Sequence, residues 1–292
     1  MKPAAFDYYD PQQLHEALDL LAGLAEDAKV LAGGQSLIPL MNMRLARPEH
    51  LIDLRRVPGL DDIRVTDTAL QIGAMVRHRV VERSATVRAV NPLLAKAASH
   101  IAHFQIRERG TLGGSIAHGD PAAEMPLLAT VLGATLHAAS TRGVRTISAA
   151  DFFESVFMTA LEPDEIVIRV DMPHLTPGQG WAVDEVARRH GDFAVVAAAV
   201  TVTMREGRYA EARVGLAGVG ATPVLSTHAD LIVGEVPSDE LWEMVARRTA
   251  AETSPASDIH ASAQDRRDLA ALLVRQCLAE ATRRAQPEGS QR

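Results

Sequence analysis

The feature that most constrains this chain is a pair of glycine doublets, Ala32-Gly33-Gly34-Gln35-Ser36 and Thr111-Leu112-Gly113-Gly114-Ser115. Each is entered from apolar sequence and leads into another apolar stretch. Adjacent glycines lack Cβ, so the backbone reaches φ > 0 and turns successive N–H groups toward one point, where they can grip an anion. Ser36 and Ser115 add a hydroxyl donor at equivalent places. Either loop alone is explained by turn chemistry. Two copies of the pattern point instead to one diphosphate held from two sides. Neither loop carries the lysine of a mononucleotide P-loop, and neither has the G-x-G-x-x-G spacing of a Rossmann fold. The ligand is therefore expected between two loops from different subdomains.

Composition narrows the function classes. The 292 residues suffice for two or three compact units. A net charge of −7 without any basic run argues against a nucleic-acid or anionic-membrane surface. Cys277 is the only cysteine, so an iron–sulfur cluster, which needs four thiolates, belongs on another chain. No apolar run reaches the roughly 20 residues of a membrane span, and the start, Met1-Lys2-Pro3-Ala4-Ala5-Phe6-Asp7, has no signal-peptide core. The expected location is cytoplasmic, with association at the inner face of the membrane as its outer limit.

In chain order, Asp10, Pro11 and Gln13 read as N-cap, first helical position and capping-box residue. Leu14, Ala17, Leu18, Leu21 and Ala25 follow on one helical face, with Gly23 weakening the end. Residues 29–31 form a strand into the first glycine loop. Ser36 stands as a cap for a helical turn interrupted by Pro39, and residues 51–54 make a second strand. A second unit begins at residues 70–73, with helices expected over 92–102 and 122–132, a strand over 134–138, a short helix capped by Ser148 and a strand over 165–170. Pro173, Pro177, Gly178 and Gly180 mark a linker. Beyond it, residues 193–204 and 209–217 flank a turn as a hairpin, and helices are expected over 238–251 and 262–284. The polar stretch 286–292 is expected to fray. The units are therefore 1–55, 56–176 and 177–292.

Few other residues carry chemistry. Glu124 suits a ribose or ribityl hydroxyl as an acceptor, and equally a helix N-terminal charge. His100, His103 and His118 lack the accompanying ligand spacing of a metal site and read as structural or solvent-facing, as do His15 and His137. No Ser-His-Asp order is recognisable.

These residues resemble the medium, FAD-binding subunit of molybdenum hydroxylases, the carbon monoxide dehydrogenase and xanthine dehydrogenase group. The resemblance runs through residues 31–39, 44–54 and 105–107, then 110–115, 119–121, 159–163, 190–194 and 255–258. The overall pattern is most like the carbon monoxide dehydrogenase type, which does not fix the substrate. It implies an α+β fold: a two-subdomain FAD-binding domain of the vanillyl-alcohol-oxidase (PCMH) type, then a C-terminal domain of antiparallel sheet and helices. It also implies that Ala32, Gly33, Gly34, Gln35 and Ser36 wrap a non-covalent FAD diphosphate together with Thr111, Gly113, Gly114 and Ser115. Leu37 and His118 join the expected set beside the loops. Glu124 binds a sugar-type hydroxyl, Ile101 and Leu161 lie near the flavin, and Phe193 flanks its ring.

Three departures bear on that expectation. Ser115 stands where relatives commonly have Asn, a longer donor. Phe193 stands where the nearest relatives have Tyr. Residues 184–189 lack the lysine common just before Gly191-Asp192, where Arg188 or Arg189 could substitute. The implied function is electron transfer within a complex. A large molybdenum-cofactor subunit oxidises the substrate, a small subunit with [2Fe-2S] clusters relays electrons to FAD here, and an external acceptor receives them. The expected assembly is a dimer of heterotrimers. A standalone FAD oxidase of the same fold is the alternative.

Overall fold

A computed structural model describes residues 2–189 and 191–286; His190 and the tail 287–292 lie outside the described residues. The first sheet is parallel, built as β1 (Asp7–Tyr9), α1 (Leu14–Leu24), β2 (Ala28–Leu31), α2 (Leu37–Asn42) and β3 (His50–Asp53), in the order β1-β3-β2. Ala17, Leu18 and Leu21 on α1 close over Ala28, Ile52 and Leu54. That helix starts later than Asp10. Glu16, and not Gln13, serves the open N–H groups, its Oε2 accepting from Gln12 N–H at 2.7 Å and Gln13 N–H at 3.1 Å. Asp10 is drawn off into an ion pair with Arg56 at 2.7 Å. Pro39 does not interrupt α2. It lies in the first turn, where its missing N–H has no intrahelical acceptor to lose.

The second sheet is antiparallel. Its strands are β4 (Ile63–Val65), β5 (Ala69–Gly73), β6 (Thr135–Ser140), β7 (Gly143–Ser148) and, after a two-stranded hairpin of β8 (Phe153–Ser155) and β9 (Met158–Thr159), β10 (Ile166–Pro173). They stand in the order β4-β5-β10-β6-β7. Between β5 and β6 run α3 (His78–Arg83), α4 (Ala85–Val90), α5 (Pro92–His100), α6 (Phe104–Arg107), α7 (Leu112–His118) and α8 (Glu124–Leu132); α9 (Ala149–Phe152) follows β7. One face of the sheet buries Leu70, Ile72, Leu136 and Val170 with Leu94, Ile116 and Leu127 of the helices. From the other face Ala139 and Ile166 join the core under α1.

The third sheet, β11 (Gln179–Ala187), β12 (Ala194–Arg205), β13 (Arg208–Ala217) and β14 (Val224–Leu225), is covered by α10 (Asp239–Ala251) and α11 (Ala263–Ala285). β12 explains why residues 194–202 read as an unbroken run: both of its faces are buried. Val196, Ala198, Val200 and Val202 pack under α11, while Ala197 and Ala199 join the core of the second sheet. The seam is also polar: Arg213 Nε donates to Val131 O, at the C-terminal turn of α8. The expected linker over 173–180 is shorter than its markers suggest: β10 runs to Pro173 and β11 starts at Gln179, leaving residues 174–178 as the connection.

Candidate functional site

The two glycine doublets meet. A Cβ built on Gly33 would collide with the backbone oxygen of Arg109 and come within 2.7 Å of Gly110 Cα, and one built on Gly114 would approach Ala32 Cβ to 3.3 Å. Residues far apart in sequence thus lie backbone against backbone, which only glycine permits at Gly33.

Their donors are unequal. In the second loop the N–H groups of residues 112–115 are used internally: Leu112 donates to Val76 O at 2.9 Å, Gly113 to Ala74 O at 2.9 Å, Gly114 to Thr111 Oγ1 at 3.1 Å and Ser115 to Thr111 O at 3.0 Å. Thr111 is therefore the N-cap of α7. In the first loop Gly34 takes φ +72°, and Gln35 folds back so that Nε2 donates to Gly33 O at 3.1 Å. The N–H groups of Gly33, Gly34, Gln35, Ser36 and Leu37 have no acceptor among the described residues. The Ser36 side chain makes no cap bond to α2. The first loop supplies the bare N–H donors, and the second supplies the Ser115 hydroxyl and a rigid wall.

Around this pair stand residues that the motif spacing does not single out. His78 donates its N–H to Gly110 O at 2.9 Å, and its buried ring lies 2.8 Å from where a Gly110 Cβ would be. Burial, with the nearby Arg107 cation, pushes its pKa down to about 4. Gly113 lies so close to Ala74 that its Cβ would fall 2.6 Å from Ala74 Cα. The signal for both was the glycine itself, because a buried glycine marks a close approach whose partner the sequence does not name.

Glu124 opens α8, 7% exposed. Burial and then the Glu185 carboxylate raise its pKa to about 8, and burial, then Asp184, raises that of Glu185 to about 7. Glu124 is thus neutral over much of the physiological range in the protein alone. A neutral carboxyl can donate to a sugar oxygen as well as accept from a hydroxyl.

Two family models match this chain, the FAD binding domain in molybdopterin dehydrogenase over residues 4–175 and the CO dehydrogenase flavoprotein C-terminal domain over residues 181–281. The chain belongs to this family of FAD-binding subunits. It is 41% identical to the 6-hydroxypseudooxynicotine dehydrogenase complex subunit alpha of Paenarthrobacter nicotinovorans, over 98% of both chains. It is 38% identical to the carbon monoxide dehydrogenase medium chain of Afipia carboxidovorans, over 98% of this chain and 99% of that one. Among solved structures, quinoline 2-oxidoreductase from Pseudomonas putida 86 superposes with a TM-score of 0.94 at 40% identity, over 98% of this chain and 99% of the other.

The remaining residues expected in the site lie on other elements. His118 ends α7 with its ring stacked on Phe157, centroids 4.8 Å apart, and burial lowers its pKa. Leu161 packs on the core of the second sheet. Ile101 is buried beside α5, and its carbonyl accepts from Arg107 Nη1 at 2.7 Å. Phe193 lies just ahead of β12 and is 65% exposed. Cys277 is buried on α11, where burial pushes its thiol up to about 12. It is a core residue.

Proposed function

We infer that the chain is the FAD-carrying electron-transfer subunit of a molybdenum-cofactor hydroxylase complex. Its partners are a large subunit with the molybdenum cofactor, where substrate is oxidised, and a small subunit with [2Fe-2S] clusters. The names medium chain and complex subunit alpha among its relatives support a multi-subunit assembly, which we assign as a dimer of heterotrimers in the cytoplasm. No helix among the described residues is long and apolar enough to cross a membrane. Units 1–55, 56–176 and 177–292 carry the two halves of the FAD domain and the C-terminal domain.

One observation carries the reading: two glycine loops closed on each other, with five successive N–H donors on one side that have no acceptor among the described residues. That cradle fits a diphosphate. The N–H groups of Gly33 to Leu37 and the hydroxyls of Ser36 and Ser115 hold the anion without a covalent bond. Ala32, Thr111, Gly113 and Gly114 set the shape of the clasp, and His118 closes the end of α7. Glu124 takes a sugar hydroxyl; Ile101, Leu161 and Phe193 form the ring end. Bound FAD supplies a centre that accepts electrons singly and yields them in pairs to an external acceptor.

Purification of the assembled complex tests this. The wild type should contain molybdenum, iron and flavin, with the yellow absorption removed by acid precipitation, as a non-covalent cofactor requires. A Ser36→Ala, Ser115→Ala double variant should keep the metals and bind flavin about 25-fold more weakly, at about 1 kcal/mol per hydrogen bond, so that it is purified with less flavin. Full flavin content in that variant and in Gly33→Val would show that these loops are not the binding site.

A further inference from the structure

Resting on the reading above, we propose that Arg107 is a positioning residue that sets the ring end of the flavin site by clamping the turn Ile101-Ala102-His103. Arg107 is a buried arginine at the end of α6. Its Nη1 donates to Ile101 O and to Ala102 O, both at 2.7 Å, and its Nε to Glu82 Oε2 at 2.9 Å. Two adjacent carbonyls converge on one guanidinium nitrogen only if the backbone between them is sharply bent. Ala102 shows that bend, with φ +42°, a conformation an L-residue keeps only when its surroundings impose it.

What the turn presents ties it to the flavin. Ile101 is the position expected near the ring. The His103 ring lies against Gly191, so close that a Cβ on Gly191 would collide with it, and Gly191 holds φ +90°. Phe193, the aromatic expected to flank the ring, follows two residues later. The guanidinium thus fixes Ile101 directly and Phe193 through the seating of His103 on Gly191. Arg107 also lies near the other end of the site, since α6 leads straight into residues 109–110, on which Gly33 packs.

Lysine cannot replace this clamp, because a single ammonium lacks the planar fork that reaches Glu82 and both carbonyls at once. In the assembled complex, Arg107→Lys should keep near wild-type flavin content, because the diphosphate loops are untouched. It should change the visible circular dichroism of the bound flavin and its reduction potential. Flavin reduction by substrate should slow. Ala102→Val, which cannot sit comfortably at φ +42°, should reproduce the spectral change with Arg107 intact. The two effects should be non-additive in the double variant, since both act on one turn. Low-millimolar guanidinium should partly restore the spectrum of Arg107→Ala. A wild-type flavin spectrum and potential in Arg107→Lys and Arg107→Ala would overturn the proposal. Loss of flavin from both variants would also overturn it, by placing Arg107 in cofactor retention. A wild-type complex devoid of flavin would sink the functional reading itself, and this proposal with it.

Discussion

Glu124 and His78 show how burial, reinforced by a neighbouring like charge, sets the charge of a residue, and their signs are opposite. Glu124 titrates near pH 8 in the folded chain and near 4.5 when unfolded. Between those values the folded state holds the extra proton, so stability falls as pH rises. His78 titrates near 4 folded and near 6.5 unfolded, so its burial costs stability only below about pH 6.5 and that cost fades as pH rises. The two slopes oppose each other between pH 4.5 and 6.5. Above that, Glu124 dominates, aided up to about pH 7 by Glu185. Urea midpoints of flavin-free protein should therefore drop between pH 6.5 and pH 8, by on the order of 1–2 kcal/mol. Glu124→Gln should flatten most of that drop; an unchanged slope would assign it to other groups. In the proposed site Ser115 bears on binding instead. Its hydroxyl has no partner among the described residues, so Ser115→Ala should leave folding unchanged and weaken FAD binding about fivefold, the worth of one hydrogen bond near 1 kcal/mol. Ser115→Asn, with longer reach, should tighten it, as a fluorescence titration would show.

Among the helices and loops, glycine has two opposite meanings in this chain. Gly33 is held between backbones, and a Cβ there meets the oxygen of Arg109. Gly33→Ala should destabilise by about 1–3 kcal/mol, as overpacking does, and should abolish flavin binding by forcing the loops apart. Gly23 lies inside α1 with nothing within 4 Å of its added Cβ, so Gly23→Ala should stabilise by about 0.5–1 kcal/mol through helix propensity. Thermal melts of the two variants should shift in opposite directions. The sequence made these loops legible because glycine doublets have few uses between apolar runs. It made β12 legible because burial on both faces leaves no polar interruption. β11 was hidden by Asp184 and Glu185, which look like loop residues; Asp184 stays exposed, and Glu185 turns toward His100 of α5 at 3.8 Å. The division of labour between the loops was equally hidden. Whether the N–H of Gly113 faces a ligand or Ala74 O depends on which strand runs beside it, and no local pattern encodes that. Arg107 stands within a recognised motif, yet its role rests on carbonyls five and six residues away.

Across the molecule, the three cores are not equivalent. The largest spans the second and third units, because Ala197 and Ala199 of β12 and Val183 of β11 pack into the same cluster as Leu70, Ile72 and Val170 of the second sheet. Those units should therefore open together. The first unit has a smaller core that meets the second through residues such as Ala139 and Ile166, together with the contacts of Gly33 on Arg109 and Gly110 and of Gly114 on Ala32. A diphosphate gripped by the N–H groups of the first unit and the hydroxyl of Ser115 in the second would bridge this weaker junction. Ligand at about 100 times its Kd stabilises by about 2.7 kcal/mol, and that stabilisation falls where opening breaks the site. Hydrogen exchange of the subunit, stripped of flavin and then resupplied with FAD, should accordingly slow most in β2, α2 and the 32–37 loop, next in α7, and least in β12 and α11. Flavin binding that slowed exchange in β12 and α11 as much as in β2 would mean that the cofactor does not tie the first unit to the rest.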